Sequence, residues 1–114
     1  MIIGIPKEIK NHENRVSMIP FAVEDLVRSG HTVVVENNAG LGSGFTNEDY
    51  KEAGADILHT AAEIFQNADM IVKVKEPQPV EVEMIRQGQI VLHIFILLLM
   101  KSSQEHSSSP GQLP

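Results

Sequence analysis

The chain has no cysteine, which excludes a disulfide framework and thiolate-ligated metal. It is short of positive charge. Nine Lys and Arg stand against 15 Asp and Glu, for a net charge of −6. That balance gives no electrostatic footprint for a nucleic-acid partner. Its longest apolar run, IVLHIFILLLM at 90–100, falls well below the roughly 20 residues needed to span a bilayer. The start, MIIGIPKE, lacks the positive lead and long apolar core of a secretory signal, so a cytoplasmic protein is expected. The five histidines, at 12, 31, 59, 93 and 106, show no i, i+4 pair and no ligand spacing with carboxylates, so no metal site is expected. No internal repeat is visible. At 114 residues the chain is one domain at most, burying about two-thirds of its unfolded surface if complete.

What is present alternates. Residues 2–5 are apolar and read as a strand. Pro20 opens a helix to about residue 29, with Gly30 at its end and Phe21, Val23, Leu26 and Val27 as its apolar face. Residues 31–36, HTVVVE, are β-branched and read as a strand. Residues 37–46 form a glycine-rich loop. Asn47 caps a short helix to residue 53, closed by Gly54, and 56–58 is a brief strand. Thr60 and Glu63 form a capping box for a helix to residue 67. Residues 70–74 are a strand, 79–86 a helix, and the chain from residue 89 a strand. Strands alternating with helices predict an α/β fold with a parallel sheet covered on both faces, a three-layer arrangement of the flavodoxin or Rossmann kind.

The chemistry concentrates where two strands end. The first strand runs directly into a loop bearing Lys7, Glu8, Lys10, Glu13 and Arg15, and the strand at 70–74 delivers Lys73 and Lys75. Loops at the carboxyl ends of parallel strands are where α/β proteins present reactive groups. Arg15 offers a planar fork to a carboxylate and Lys75 a movable point charge, so together they suit a small carboxylate. Lys73 reads as a supporting charge, and Glu8 and Glu13 as groups that orient the cations. The plain alternative is that Arg15, Lys75, Glu8 and Glu13 are solvated surface charges; for Lys73 the alternative is a ligand. Gly40, Gly42 and Gly44 are spaced GxGxG, unlike the GxGxxG of dinucleotide loops, and no acidic residue ends a following strand at the right distance.

PKEIKNHENRV, NAGLGSGF and VKVKEP occur in that order, and on these motifs residues 1–91 resemble the amino-terminal part of the alanine dehydrogenases. The transhydrogenase alpha subunits are a more distant resemblance, and the LGSGF form favours the first group. The resemblance implies a parent that is an NAD-dependent enzyme, a homo-oligomer, reversibly oxidising L-alanine to pyruvate and ammonia by hydride transfer. It implies that Arg15 pairs with the substrate carboxylate and Lys75 with its carboxylate or carbonyl oxygen. It also makes the glycine loop a shaping loop of the substrate domain, with the NAD site in a second domain that has no counterpart in these 114 residues. Alternatives are an inert pseudogene product, a carboxylate-binding module, or a transhydrogenase-like domain.

The resemblance stops near Val91. The family would continue into a strand carrying an FTYLH-like motif and then an acidic helix. One set of codons for HIFILLLMKSS, read two bases later, gives YLHFAADEEL, and loss of one T from an IVFTYLH-coding stretch gives IVLH. The tail is therefore expected to be a frameshift product: a strand-like apolar run at 92–100, then a disordered Ser-rich segment at 101–114. On that reading the family's acid/base histidine is lost, its aligned position is Ile96, and His93 is a coincidental product of the shifted frame. No catalytic residue is expected in the chain, which is expected to be inactive.

Overall fold

The computed structural model describes residues 1–10 and 12–94. Its elements in chain order are β1 (Ile2–Ile5), α1 (Pro20–Arg28), β2 (Thr32–Glu36), α2 (Asn47–Glu52), β3 (Asp56–Leu58), α3 (Ala61–Asn67), β4 (Met70–Lys73), α4 (Pro79–Val82) and β5 (Ile90–His93). A short 3₁₀ turn, Leu41–Ser43, interrupts the glycine-rich loop. The five strands form one sheet in the order β3-β2-β1-β4-β5, and every pairing is parallel.

Alternation along the strands splits the core into two layers. Ile3, Ile5, Val33, Val35 and Val72 face α1 and α2, where Val23, Tyr50 and Ala53 cover them. Val34 and Ile71 face α3, which contributes Ile64 and Phe65 beside Ala68. Two-sided burial explains why β1, β2 and β4 read as continuous apolar runs. Gly4 lies where α3 presses closest: a Cβ there would stand 2.8 Å from both Ala68 Cβ and Ile64 Cγ2.

From β1 the chain steps outward through β2 to β3. Then α3 carries it back to the other side of β1, where β4 and β5 follow. The direction of winding therefore reverses between β1 and β4. Such a reversal parts the two loops at the strands' carboxyl ends and opens a crevice there.

Several local expectations need correction. Phe21 is not on the buried face of α1; it is 74% exposed, because it lies about 200° around the helix from Val23 at 100° per residue. The cap of α2 is Thr46, not Asn47. Thr46 Oγ1 accepts from the Asp49 N–H at 3.2 Å, and Asp49 Oδ2 accepts from the Thr46 N–H at 2.9 Å. Asn47 is used elsewhere, its Oδ1 accepting from the Asn38 N–H at 2.8 Å. At α3 only half of the expected box forms: Thr60 Oγ1 accepts from the Glu63 N–H, but Glu63 Oε1 meets the Thr60 hydroxyl rather than its backbone. The helix expected over 79–86 ends at Val82. Beyond it the Arg86 guanidinium and the Gln89 amide donate to the Phe65 and Ala68 carbonyls at the end of α3. Satisfying those orphan carbonyls turns the chain toward β5.

Leu92 and His93 lie in β5, so the strand continues past residue 91. The expectations for 95–100, for the tail at 101–114 and for Ile96 lie outside the described residues.

Candidate functional site

The loop after β1 and the loop after β4 meet through carboxylates. Glu13 is the nearer to the surface cleft. Its Oε2 accepts from the Arg15 backbone N–H and from Arg15 Nε, both at 2.9 Å, and its Oε1 accepts from Arg15 Nη2 at 3.0 Å. Lys75 Nζ stands 3.9 Å from that same Oε1. The Glu13 side chain is 3% exposed, against 55% for Arg15 and 22% for Lys75. The hydrogen-bonded guanidinium of Arg15 holds the Glu13 carboxyl below its ordinary pKa, overcoming the opposing effect of burial. One buried carboxylate thus gathers two more exposed cations. A bidentate fork of this kind fixes the orientation of the guanidinium as well as its position.

Deeper in, Glu8 joins the same two loops. Its Oε1 accepts from Lys73 Nζ at 2.9 Å and from the Lys75 N–H at 3.3 Å; its Oε2 accepts from the Val74 N–H at 2.9 Å. Lys73 Nζ is also 3.1 Å from Glu81 Oε2. Glu8, Lys73 and Glu81 are all buried. At the surface Lys10 pairs with Glu76, a further link between the loops but a solvated one, and such pairs contribute little.

The glycine loop shapes the wall opposite. The Ser43 hydroxyl donates to the Asn14 carbonyl at 3.2 Å and accepts from the Val16 N–H at 3.3 Å. The next residues are tied as well: the Ser17 hydroxyl donates to the Val72 carbonyl at 2.8 Å, and the Tyr50 hydroxyl to the Met18 carbonyl at 2.7 Å. Burial pushes the Tyr50 phenol up to about 12, so it stays a donor at ordinary pH. At the end of β2, Glu36 Oε1 accepts from the Lys7 N–H at 2.9 Å, and burial raises its pKa. Between these walls lies a cleft of about 200 Å³ lined by Lys7, Glu8, Glu13, Asn14, Arg15, Asn38, Ala39, Leu41 and Gly42. At roughly 30 Å³ per water, that is room for a small organic acid.

Gly42 is required by this packing. A Cβ there would stand 2.5 Å from the Asn14 carbonyl oxygen, a backbone atom that cannot turn aside. Gly42→Ala is therefore expected to displace the turn before Arg15 and to cost about 1–3 kcal/mol, as overpacking usually does. Chemical denaturation would read the loss. An unchanged midpoint would show that the loop relaxes freely.

Arg15 and Lys75, the two substrate-binding candidates, are brought together as anticipated, around Glu13. Lys73 pairs with Glu8 and Glu81, and Glu13 with Arg15 and Lys75. Glu81 was missed. Its signal was the Gln78-Pro79 start of α4, since Glu81 is the third residue after the Gln78 cap and its Oε1 accepts from the Gln78 N–H at 2.9 Å. His93 ends β5 in register with Lys73. Among the described residues no group of His, Asp and Glu is arranged to hold a metal, and no helix is long and apolar enough to cross a membrane.

The GxGxG spacing of the glycine loop is not the GxGxxG dinucleotide pattern. The space beside Gly42 is filled by Asn14 and that beside Gly40 by the Tyr50 ring, 2.6 Å from where a Cβ would stand. The loop packs on protein where a phosphate cradle would be open.

Comparison with known proteins agrees with this architecture. The chain is 56% identical over 91 residues to an alanine dehydrogenase of Methanococcus maripaludis and 52% identical over 91 residues to that of Bacillus subtilis. Each alignment takes in 80% of this chain and 24% of the relative, so the chain spans about a quarter of their length. Among solved structures, an L-alanine dehydrogenase superposes with a TM-score of 0.78 at 41% identity, over 92% of this chain and 30% of that one. A transhydrogenase from Sinorhizobium meliloti gives 0.78 at 34% identity, over 97% and 33%. The sequence model described as "Alanine dehydrogenase/PNT, N-terminal domain" matches residues 4–108, and the chain belongs to that family.

Proposed function

We propose that residues 1–94 form the carboxylate-binding corner of an NAD-dependent L-alanine dehydrogenase, and that these 114 residues bind the substrate carboxylate without turning it over. The observation that supports this most is the Arg15–Glu13–Lys75 cluster at the β1/β4 switch point. Two cations share one buried carboxylate, and Arg15 and Glu13 also line the neighbouring cleft, which has the size of a small organic acid. The names of the relatives supply L-alanine as the substrate, and pyruvate is the keto acid that its oxidative deamination leaves.

In this reading Arg15 takes the carboxylate of the substrate, and Lys75 reaches its carboxylate or carbonyl oxygen. A cation at the carbonyl oxygen favours the electron-poor carbon to which hydride adds. NAD, when bound in the parent enzyme, would supply the hydride chemistry. The parent enzyme is soluble, cytoplasmic and homo-oligomeric. The LGSGF loop and the alanine dehydrogenase relatives favour this reading over a transhydrogenase-like domain.

Pyruvate titrated into the ¹⁵N-labelled chain should shift the amides of residues 13–16 and 74–76. Arg15→Met should weaken binding about tenfold or more, since a hydrogen bond to a charged group contributes about 1.5–3 kcal/mol. A chain indifferent to pyruvate, or an Arg15→Met variant that binds it equally well, would sink the proposal.

A further inference from the structure

At the wall of the cleft, where Glu8 is a lining residue, three buried charged side chains have no part assigned in substrate binding. Lys73 stands between Glu8 and Glu81, and all three are at most 8% exposed. A buried charge is costly unless it is paired, and a cluster carrying one more anion than cations is not favoured for stability alone. The bonds made by Glu8 show what the third charge does. Only one of its contacts is to Lys73. The other two are to the N–H groups of Val74 and Lys75, at 2.9 and 3.3 Å. These residues follow directly on the last residue of β4, where ladder hydrogen bonds give out. Glu8 replaces the missing neighbour strand with a carboxylate and fixes the main chain that carries Lys75.

We infer that Glu8 is a positioning residue for Lys75: it reaches from the β1 loop across the switch point and sets where the Lys75 backbone stands. Lys73 supplies the countercharge that Glu8 needs when buried. Glu81 holds Lys73 from the opposite side, at the start of α4, and touches neither Val74 nor Lys75 through any bond described above. This rests on the carboxylate-site reading, in which Lys75 contacts the substrate.

The test is a double-mutant cycle on the full chain with pyruvate as the probe, beside hydrogen exchange of the Val74 and Lys75 amides. Glu8→Gln should weaken pyruvate binding about tenfold, and Lys75→Met by a similar factor. The double variant should bind no more weakly than Lys75→Met alone, because Glu8 acts through Lys75. Glu81→Gln perturbs the same buried cluster and should lower stability, yet leave pyruvate affinity within about twofold. The Val74 and Lys75 amides should exchange at least about tenfold faster in Glu8→Gln while those inside β1 stay protected. If Glu8→Gln does not fold, Glu8→Asp makes the same comparison, since it keeps the charge for Lys73 while withdrawing the carboxylate by one methylene. Effects of Glu8→Gln and Lys75→Met that multiply would overturn the inference, as would equal losses of affinity in Glu8→Gln and Glu81→Gln. A wild-type chain that takes no pyruvate would defeat the carboxylate-site reading; the exchange rates would then decide on Glu8, with unchanged protection at Val74 and Lys75 counting against it.

Discussion

Lys73→Met is expected to cost about 3–5 kcal/mol, the range found when one partner is removed from a buried ion pair. Glu8 would keep its bonds to Val74 and Lys75 but lose its countercharge at 2.9 Å; Glu81 would lose its own at 3.1 Å. Both carboxylates would remain behind apolar packing, 8% and 1% exposed. Domains of this size are stable by only about 5–15 kcal/mol, so the variant stands close to unfolding. Urea denaturation followed by circular dichroism measures the loss. A second variant separates charge from volume: Glu8→Gln with Lys73→Met and Glu81→Gln removes the whole charged cluster at nearly constant size. It should recover a substantial part of the stability lost by Lys73→Met, because replacing a complete buried cluster is far less damaging than breaking one. A single substitution that leaves the denaturation midpoint in place would mean that Lys73 is hydrated in solution.

The strands were legible because burial on two faces leaves a mark that needs no long-range knowledge. Ile2–Ile5 and Val33–Val35 are apolar without alternation, which amphipathic strands are not. Pro20 marked the start of α1 through its fixed φ. Phe21 was misplaced because an apolar residue near a helix start resembles a core position until the angle around the axis is fixed by its neighbours. The end of α4 was hidden for a different reason. Nothing between Val82 and Arg86 breaks a helix locally; the turn is drawn by bonds from Arg86 and Gln89 to carbonyls of α3 some twenty residues earlier.

The site was legible by half. Arg15 and Lys75 could be paired because each follows a strand, and strand ends of a parallel sheet deliver their loops to one side. The carboxylates were visible as orienting groups, but their division of labour was not. Glu13 serves the Arg15 fork and the Lys75 ammonium, whereas Glu8 serves Lys73 and the backbone at Val74 and Lys75. Both lie in one polar stretch, PKEIKNHENRV, and spacing there cannot show which one points toward the cleft. Glu81 was not singled out in the sequence at all. Its second oxygen lies 3.1 Å from Lys73 Nζ, a tertiary pairing with no local signature.

The second large effect expected is a complete one: the purified 114-residue chain forms no NADH from L-alanine above a blank. Two arguments lead there independently. The resemblance places the acid/base histidine of the family at Ile96, an aliphatic side chain that neither accepts nor donates a proton. Loss of a general acid/base typically costs about 10²–10⁴-fold, which leaves a slow enzyme rather than a dead one. The glycine loop supplies the stronger argument. Gly40 and Gly42 pack against the Tyr50 ring and the Asn14 backbone, and their GxGxG spacing is not that of a dinucleotide cradle. Without an acceptor held against the substrate, hydride transfer has no geometry in which to occur. The chain is therefore expected to bind pyruvate while leaving NAD unreduced, and that pairing separates it from both an active enzyme and an inert product. Coupled absorbance at high enzyme concentration, with Arg15→Met as the control for contaminating dehydrogenase, is the decisive assay. NADH formation that disappears with Arg15→Met would refute the prediction. The shifted-frame proposal adds a second arm: restoring one base near codons 91–93 should return the YLHFAADEEL reading and, where the downstream DNA continues it, the activity.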